Sequence, residues 1–207
     1  MRLTRRIALL GAAVTIAASL TACSTDTAQP AQSPPEPSAT VASDDGADPA
    51  AHNDADAEFA QMMIVHHQGA IEMAALAVTN AATDEVRSLG ERIASAQDPE
   101  IQLMTSWLTA WGEALPTDAD MSPMDHGSME MDGMDQEAVM AELSSLTGTD
   151  FDRRFLELMT EHHRGAIEMA EEHRGQGTHP DAITLSGQII DAQTAEITAM
   201  TNLLREL

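Results

Sequence analysis

The chain has 207 residues, with 34 Asp and Glu against 10 basic residues, all of them Arg, for a formal charge of -24. So acidic a surface repels phosphate backbones, and three Phe, two Trp and no Tyr leave little to stack on bases, which excludes nucleic acid as a partner and favours cations. A single Cys excludes an internal disulfide framework and a cysteine-cluster zinc site, whereas 43% hydrophobic residues, 14 Met among them, suffice for a packed core.

Residues 1–22 carry Arg2, Arg5 and Arg6, no acid, and an apolar stretch from Ile7 to Leu20 that is short for a membrane span. They read as a signal peptide ending in Leu20-Thr21-Ala22-Cys23, which resembles a bacterial lipobox. That resemblance implies cleavage before Cys23 and lipidation of it, making the protein a lipoprotein on the outer face of the cytoplasmic membrane. Thr4-Arg5-Arg6 also resembles a twin-arginine signal, so both export routes stay open. Residues 23–55 are rich in Ala, Ser, Thr, Pro and Asp and contain no base. They read as a disordered acidic tether holding a folded domain off the membrane.

Residues 56–207 are organised by a repeat. DAEFAQMMIVHHQGAIEMAALAV (56–78) and DRRFLELMTEHHRGAIEMAEEHR (152–174) are identical at 11 of 23 positions, at an offset of 96. The same offset aligns 88–108 with 184–204 at nine of 21 positions. All four segments have helical periodicity. In the third, Phe155, Leu158, Met159, His162, Ala166, Met169, Ala170 and His173 share one face and the charged residues the other; Phe59, Met62, Met63, His66, Ala70, Met73 and Ala77 repeat it in the first. Ile93, Gln97, Glu100, Ile101, Met104 and Leu108 form the inner face of the second segment, and Ile189, Gln193, Glu196, Ile197, Met200 and Leu204 that of the fourth. Pro99 is expected to kink the second segment. The expected fold is all-α: a four-helix bundle of two repeated helical hairpins, with a long crossover loop over 112–149 and one short helix near Met134–Leu146.

Both copies place adjacent His on the apolar side, His66-His67 and His162-His163. Met63 and Met159 precede them by three, and Met73 and Met169 follow by seven. The hairpin partners offer Glu100 with Met104 and Glu196 with Met200. A buried Glu needs a partner, which an imidazole N–H or a metal supplies. Two readings stay open here: metal ligation by His and Met, with Glu100 or Glu196 as ligand or as the acceptor that orients an imidazole, and a structural core of His–Glu hydrogen bonds. If the His are ligands, metal should leave as pH falls through about 6–6.5, the ordinary imidazole range. The crossover adds MSPMDHGSMEMDGMD (121–135), with Met121, Met124, Met129, Met131, Met134 and His126 among acids and no large aliphatic residue. These Met read as ligands for soft monovalent copper or silver rather than as core.

The segments FAQMMIVHHQGAIEMA and FLELMTEHHRGAIEMA resemble domain of unknown function family 305, a ferritin-like helical family, over about 56–204. The resemblance implies an envelope protein, because the family recurs there, and copper or silver binding through Met and His, because some members do this. It points to His66, His67, His162, His163, Met63, Met73, Met159 and Met169. The Met-rich loop is similar to the Met-Asp-His runs of periplasmic copper proteins.

The leading expectation is a non-enzymatic, lipid-anchored protein that sequesters or buffers copper(I), or silver(I), and hands it to a copper-handling partner. The alternatives are a ferritin-like oxidase and a metal-free interaction lipoprotein. Di-iron bundles place Glu three residues before His; here Met63 and Met159 stand three residues before His66 and His162, which disfavours iron.

Overall fold

The computed structural model describes residues 51–117 and 134–207. The expected signal peptide, Cys23, nearly all of the tether, and Met121, Met124, His126, Met129 and Met131 lie outside the described residues. Five helices follow one another: α1 (Asp54–Asn80), α2 (Asp84–Trp111), α3 (Gln136–Ser145), α4 (Gly148–Gln176) and α5 (Pro180–Glu206). Among the described residues there is no strand, and no helix is long and apolar enough to cross a membrane.

Local chemistry sets the ends. Asn53 and Asp56 form a reciprocal capping box at the start of α1, so the tether ends two residues earlier than its composition suggests. Thr83 caps α2, Gly112 ends it in the left-handed conformation at φ 76°, and Pro180 opens α5, where its missing N–H costs nothing. Helix α2 continues through Pro99 to Trp111. Helix α4 starts at Gly148, whose φ of 68° suits glycine, so it takes the last residues assigned to the crossover.

The helices pack as two hairpins, α1 with α2 and α4 with α5, joined through α1 and α4. That central pair is antiparallel. Asp56 at the start of α1 meets His173 near the end of α4, His66 meets His162 midway, and the residues after α1 meet Asp152 at the start of α4. The expected bundle of two hairpins is therefore the observed one, with α3 added across α1 and α4.

Apolar side chains form two clusters, related by the repeat, on either side of the central His. One holds Met63, Met104 and Met169 with Phe59, Leu108 and Ile189; the other holds Met159, Met200 and Met73 with Phe155, Ile93 and Leu89. Helix α3 enlarges the second cluster with Val139 and Leu143 and donates from Gln136 Nε2 to Gly69 O (3.1 Å). Met134 packs against this cluster too, contrary to the expectation that the loop Met stay out of the core. The reason is its place next to Asp135, which caps α3 and draws the loop end onto the bundle.

Candidate metal centre

Where α1 and α4 cross, four imidazoles lie in the middle of the bundle. His66 and His162 are 3% and 5% exposed, and His67 and His163 are fully buried. The His66 and His162 rings are in contact, with centroids 3.7 Å apart and planes inclined by 46°. The outer two are held from the hairpin partners: His67 Nε2 lies 2.7 Å from Glu100 Oε2, and His163 Nε2 lies 2.6 Å from Glu196 Oε2. A carboxylate only accepts, so each Nε2 carries the proton and donates it. In a neutral ring so bonded, Nδ1 is a bare lone pair.

Most of the ring nitrogens not facing a carboxylate have no partner. His67 Nδ1, His163 Nδ1, His162 Nδ1 and both nitrogens of His66 are buried without a hydrogen bond, as are Gln97 Nε2 and Oε1 and Gln193 Oε1. Each such group costs about 1–3 kcal/mol if it stays unpaired. Burial, and then repulsion from the neighbouring imidazoles, holds His66 and His162 well below the usual imidazole range. They are neutral at pH 7, the form that binds metal. Acid competition for these two rings therefore falls at lower pH than the ordinary range expected from their residue type.

The remaining expected residues sort by distance along the helices. Met63 and Met159 are fully buried one turn from the His pairs, on opposite sides of the crossing, and Met104 and Met200 share their clusters. Met73 and Met169 lie two turns, about 10 Å of rise, beyond the His and inside the end clusters, so they are not brought to the imidazoles. Glu100 and Glu196 are occupied by His67 and His163, which makes them orienting acceptors. Among the described residues, no three His, Cys, Asp or Glu side chains are placed to hold a metal ion. A zinc or di-iron centre needs three or more such donors, whereas soft monovalent cations accept fewer, from imidazole and thioether.

Sequence reasoning missed three sets of residues. Gln97 and Gln193 are 3% exposed beside the His; their recurrence on an apolar face at the 96-residue offset was the available signal. Asp56 and Asp152, also 96 apart, are fully buried at the bundle ends. Asp152 accepts from Ala82 N (2.8 Å), Thr83 N (2.9 Å) and Thr83 Oγ1 (2.8 Å). Asp56 accepts the matching bonds from Thr178 and His179, and one more from His173 Nε2 (2.8 Å). Burial alone would raise the Asp56 pKa, but the donors from Asn53, His173, Thr178 and His179 outweigh it and lower it to about 2. His173 Nδ1 lies 2.6 Å from Ser186 Oγ, so Asp56, His173 and Ser186 are linked in series. Ser186 is fully buried and its Oγ donates to Ala182 O (3.0 Å), so the array is a tie between helices and not an exposed nucleophile.

Comparison with known proteins places this geometry. A family model described as "Domain of unknown function (DUF305)" matches residues 56–204. The fold is similar to a DUF305 protein from Streptomyces coelicolor that is described as secreted (36% identity, 73% of this chain and 91% of that one, TM-score 0.65). It is also similar to a DUF305 fragment from Deinococcus radiodurans (32% identity, 75% and 98% covered, TM-score 0.66). A third similar structure is CopM in its Cu(II)-bound form (33% identity, 73% and 96% covered, TM-score 0.61); CopM is also described in Cu(I)-bound and Ag-bound forms. Among curated proteins, none matches the chain.

Proposed function

The chain belongs to the DUF305 family, and on that premise we propose that it binds copper(I), or silver(I), at the crossing of α1 and α4, outside the cytoplasmic membrane. One observation carries the reading: five imidazole nitrogens at one place in the core have no hydrogen-bond partner, and the two rings in contact are held neutral. A soft cation would take lone pairs among them, at most one from each neutral ring, and offset their desolvation. His66, His67, His162 and His163 are the imidazole ligands from which the site draws, with the thioethers of Met63 and Met159 one turn away. Glu100 and Glu196 hold the Nε2–H of His67 and His163, so that Nδ1 is the nitrogen left to an ion. The metal forms named for CopM support the choice of cation. The protein sequesters or buffers the ion rather than turning over a substrate, and the Met-rich loop 121–135 supplies further thioethers, from Met121, Met124, Met129 and Met131, together with His126.

The same reading makes the chain a lipoprotein anchored through Cys23, with a copper-handling protein as the recipient. The Streptomyces relative, described as secreted, supports a place outside the cytoplasm. Anaerobic copper(I) titration of the mature chain, with metal counted by elemental analysis, tests the central site. His66→Ala with His162→Ala should lower the stoichiometry while circular dichroism stays helical. Unchanged stoichiometry in a helical double variant would return these His to a structural role and leave the loop as the binding segment.

A further inference from the structure

The repeat gives each position of one half a counterpart 96 residues away, so one half shows what fits a groove that the other half leaves open. In the filled half, helix α3 lies over α1 and α4. Its Val139 and Leu143, four residues apart, join Phe151, Phe155 and Leu158 in one cluster, with Leu76 packed alongside. At the edge of this contact Glu142 of α3 pairs with Arg154 (Oε1 to Nε, 2.9 Å). In the other half the equivalent groove is a cavity of about 300 Å³, floored by Ala55, Phe59, Met62 and Met169 and rimmed by Glu58, Glu168 and Glu172.

Two differences between the halves describe the missing occupant. The first is volume. Phe151 is fully buried and stacks on Phe155 (centroids 5.9 Å apart), whereas its counterpart Ala55 is half-buried and gives Phe59 no such neighbour. An occupant must therefore bring a bulkier apolar side chain than α3 does. The second is charge. Where the filled half has Arg154, Glu72 and Leu76, the open half has Glu58, Glu168 and Glu172, all three exposed. The position that meets an acid of α3 has thus reversed its sign, and a position packed on the cluster has become acidic. These carboxylates are not placed as a three-donor cation cage, so they act as a charged rim around an apolar floor.

We infer that the open groove is a docking surface for a basic amphipathic helix of a partner protein, seated as α3 is seated in the filled half. Such a helix lays apolar residues at i and i+4 on Phe59 and Met62, as Val139 and Leu143 do on Phe155 and Leu158. It carries Arg or Lys at i+3, where α3 has Glu142, to meet Glu58, and a further base within reach of Glu172. Charge decides among the occupants. The tether holds acids and no base, and α3 of a second copy would bring Glu142 against Glu58, so both are repelled. The formal charge of -24 also repels a second copy and steers a basic partner to the surface. The inference does not depend on the metal centre, with which the groove floor and rim share no proposed ligand.

The test uses the full mature chain and a fluorescent helical peptide as probe. The probe is the α3 sequence 136–145 with Glu137→Arg and Glu142→Arg, lengthened with alanine to about 20 residues so that it is helical in solution. The same peptide with both Glu kept is the control. By fluorescence anisotropy the basic probe should bind saturably and the acidic one should not. Two variants then copy the filled half. Ala55→Phe, which copies Phe151, should abolish binding by occupying the groove while circular dichroism stays helical. Glu58→Arg, which copies Arg154, should weaken the basic probe about fivefold or more and strengthen the acidic one. Should Ala55→Phe fail to fold, the exchange of preference at exposed Glu58 decides. Basic-probe binding that survives a folded Ala55→Phe would overturn the proposal, because the peptide would then be held by acidic surface at large. So would no binding to the wild-type chain, or binding only after residues 24–50 are removed, which would make the tether the occupant. Self-association in sedimentation that Ala55→Phe abolishes would overturn it in favour of a second copy.

Discussion

The two ends of the α1–α4 pair are built on the same backbone and held by different chemistry. Ala81 and Gly177 occupy matching positions with nearly the same conformation, φ -62°, ψ 138° and φ -67°, ψ 157°. At the Ala81 end, Asp152 receives the turn between α1 and α2, and α2 approaches α1 closely: a Cβ on Gly90 would lie 2.9 Å from Ala74 O. At the Gly177 end, His173 replaces Ala77 and Ser186 replaces Gly90, so a hydrogen-bonded chain from Asp56 to Ser186 fills the space. Neither backbone conformation demands glycine. Gly177 is needed because a Cβ there would press on His173 and lie 2.7 Å from Asp56 Oδ1. The comparison teaches that the repeat fixes the frame and the centre, while single substitutions assign the ends separate tasks: one is closed by α3, and the other keeps a polar tie beside an open groove.

Substitutions at the two buried Asp should separate the ends most strongly. Asp56→Ala strands the donors of Thr178, His179 and His173 and should cost about 3–5 kcal/mol, against about 1–3 kcal/mol for Asp152→Ala, in urea unfolding. Equal losses would show that the His173 link adds nothing. Gly177→Ala should cost about 2 kcal/mol by overpacking, and less in a His173→Ala background, where only the Asp56 contact remains, whereas Ala81→Gly should change stability by only a few tenths. A Gly177→Ala penalty undiminished without His173 would place its cause at Asp56 alone.

Acid should act in two windows on the metal-free chain. His66 and His162 are held neutral in the fold, so below about pH 6.5 the unfolded chain takes up protons that the folded chain refuses, and stability begins to fall. Asp56, lowered to about 2, contributes about 2 kcal/mol that is complete above the unfolded carboxylate range and is lost as pH falls from about 4 towards 2. Thermal melts across pH should show both steps; His66→Ala/His162→Ala should remove the first and Asp56→Asn the second. The smallest effect belongs to the cover: Glu142→Gln should lower stability by at most about 1 kcal/mol, because the Arg154 pair is partly exposed. A larger loss would make α3 a structural keystone of its half.

The fold was legible because the 96-residue offset repeats the hydrophobic period without a gap, and Gly177, Pro180 and Thr83 mark the breaks. The adjacent His, with Glu100 and Glu196 on the facing helices, were legible for the same reason: two copies of a polar group on an apolar face demand a partner. Apart from the paired Asp56 and Asp152, what the sequence hid were mostly features present in one copy only. His173 looked like one more residue of the inner face, and its bonds to Asp56 and Ser186 depend on the antiparallel register of α1 and α4. Met134 looked like its loop neighbours, and it joins the core because α3 folds back over α1. Gln97 and Gln193 do recur, yet an amide with unmet hydrogen bonds can be recognised only once its surroundings are known to be dry.

Nitrogen-15 NMR of the imidazoles during silver(I) addition tests the central claim most directly. The account predicts that imidazole nitrogens of one or two of His66, His67, His162 and His163 shift and gain one-bond coupling to silver, while the Nε2–H groups facing Glu100 and Glu196 keep their protons. Imidazole resonances that stay unchanged while silver is bound at methionine methyls alone would contradict it.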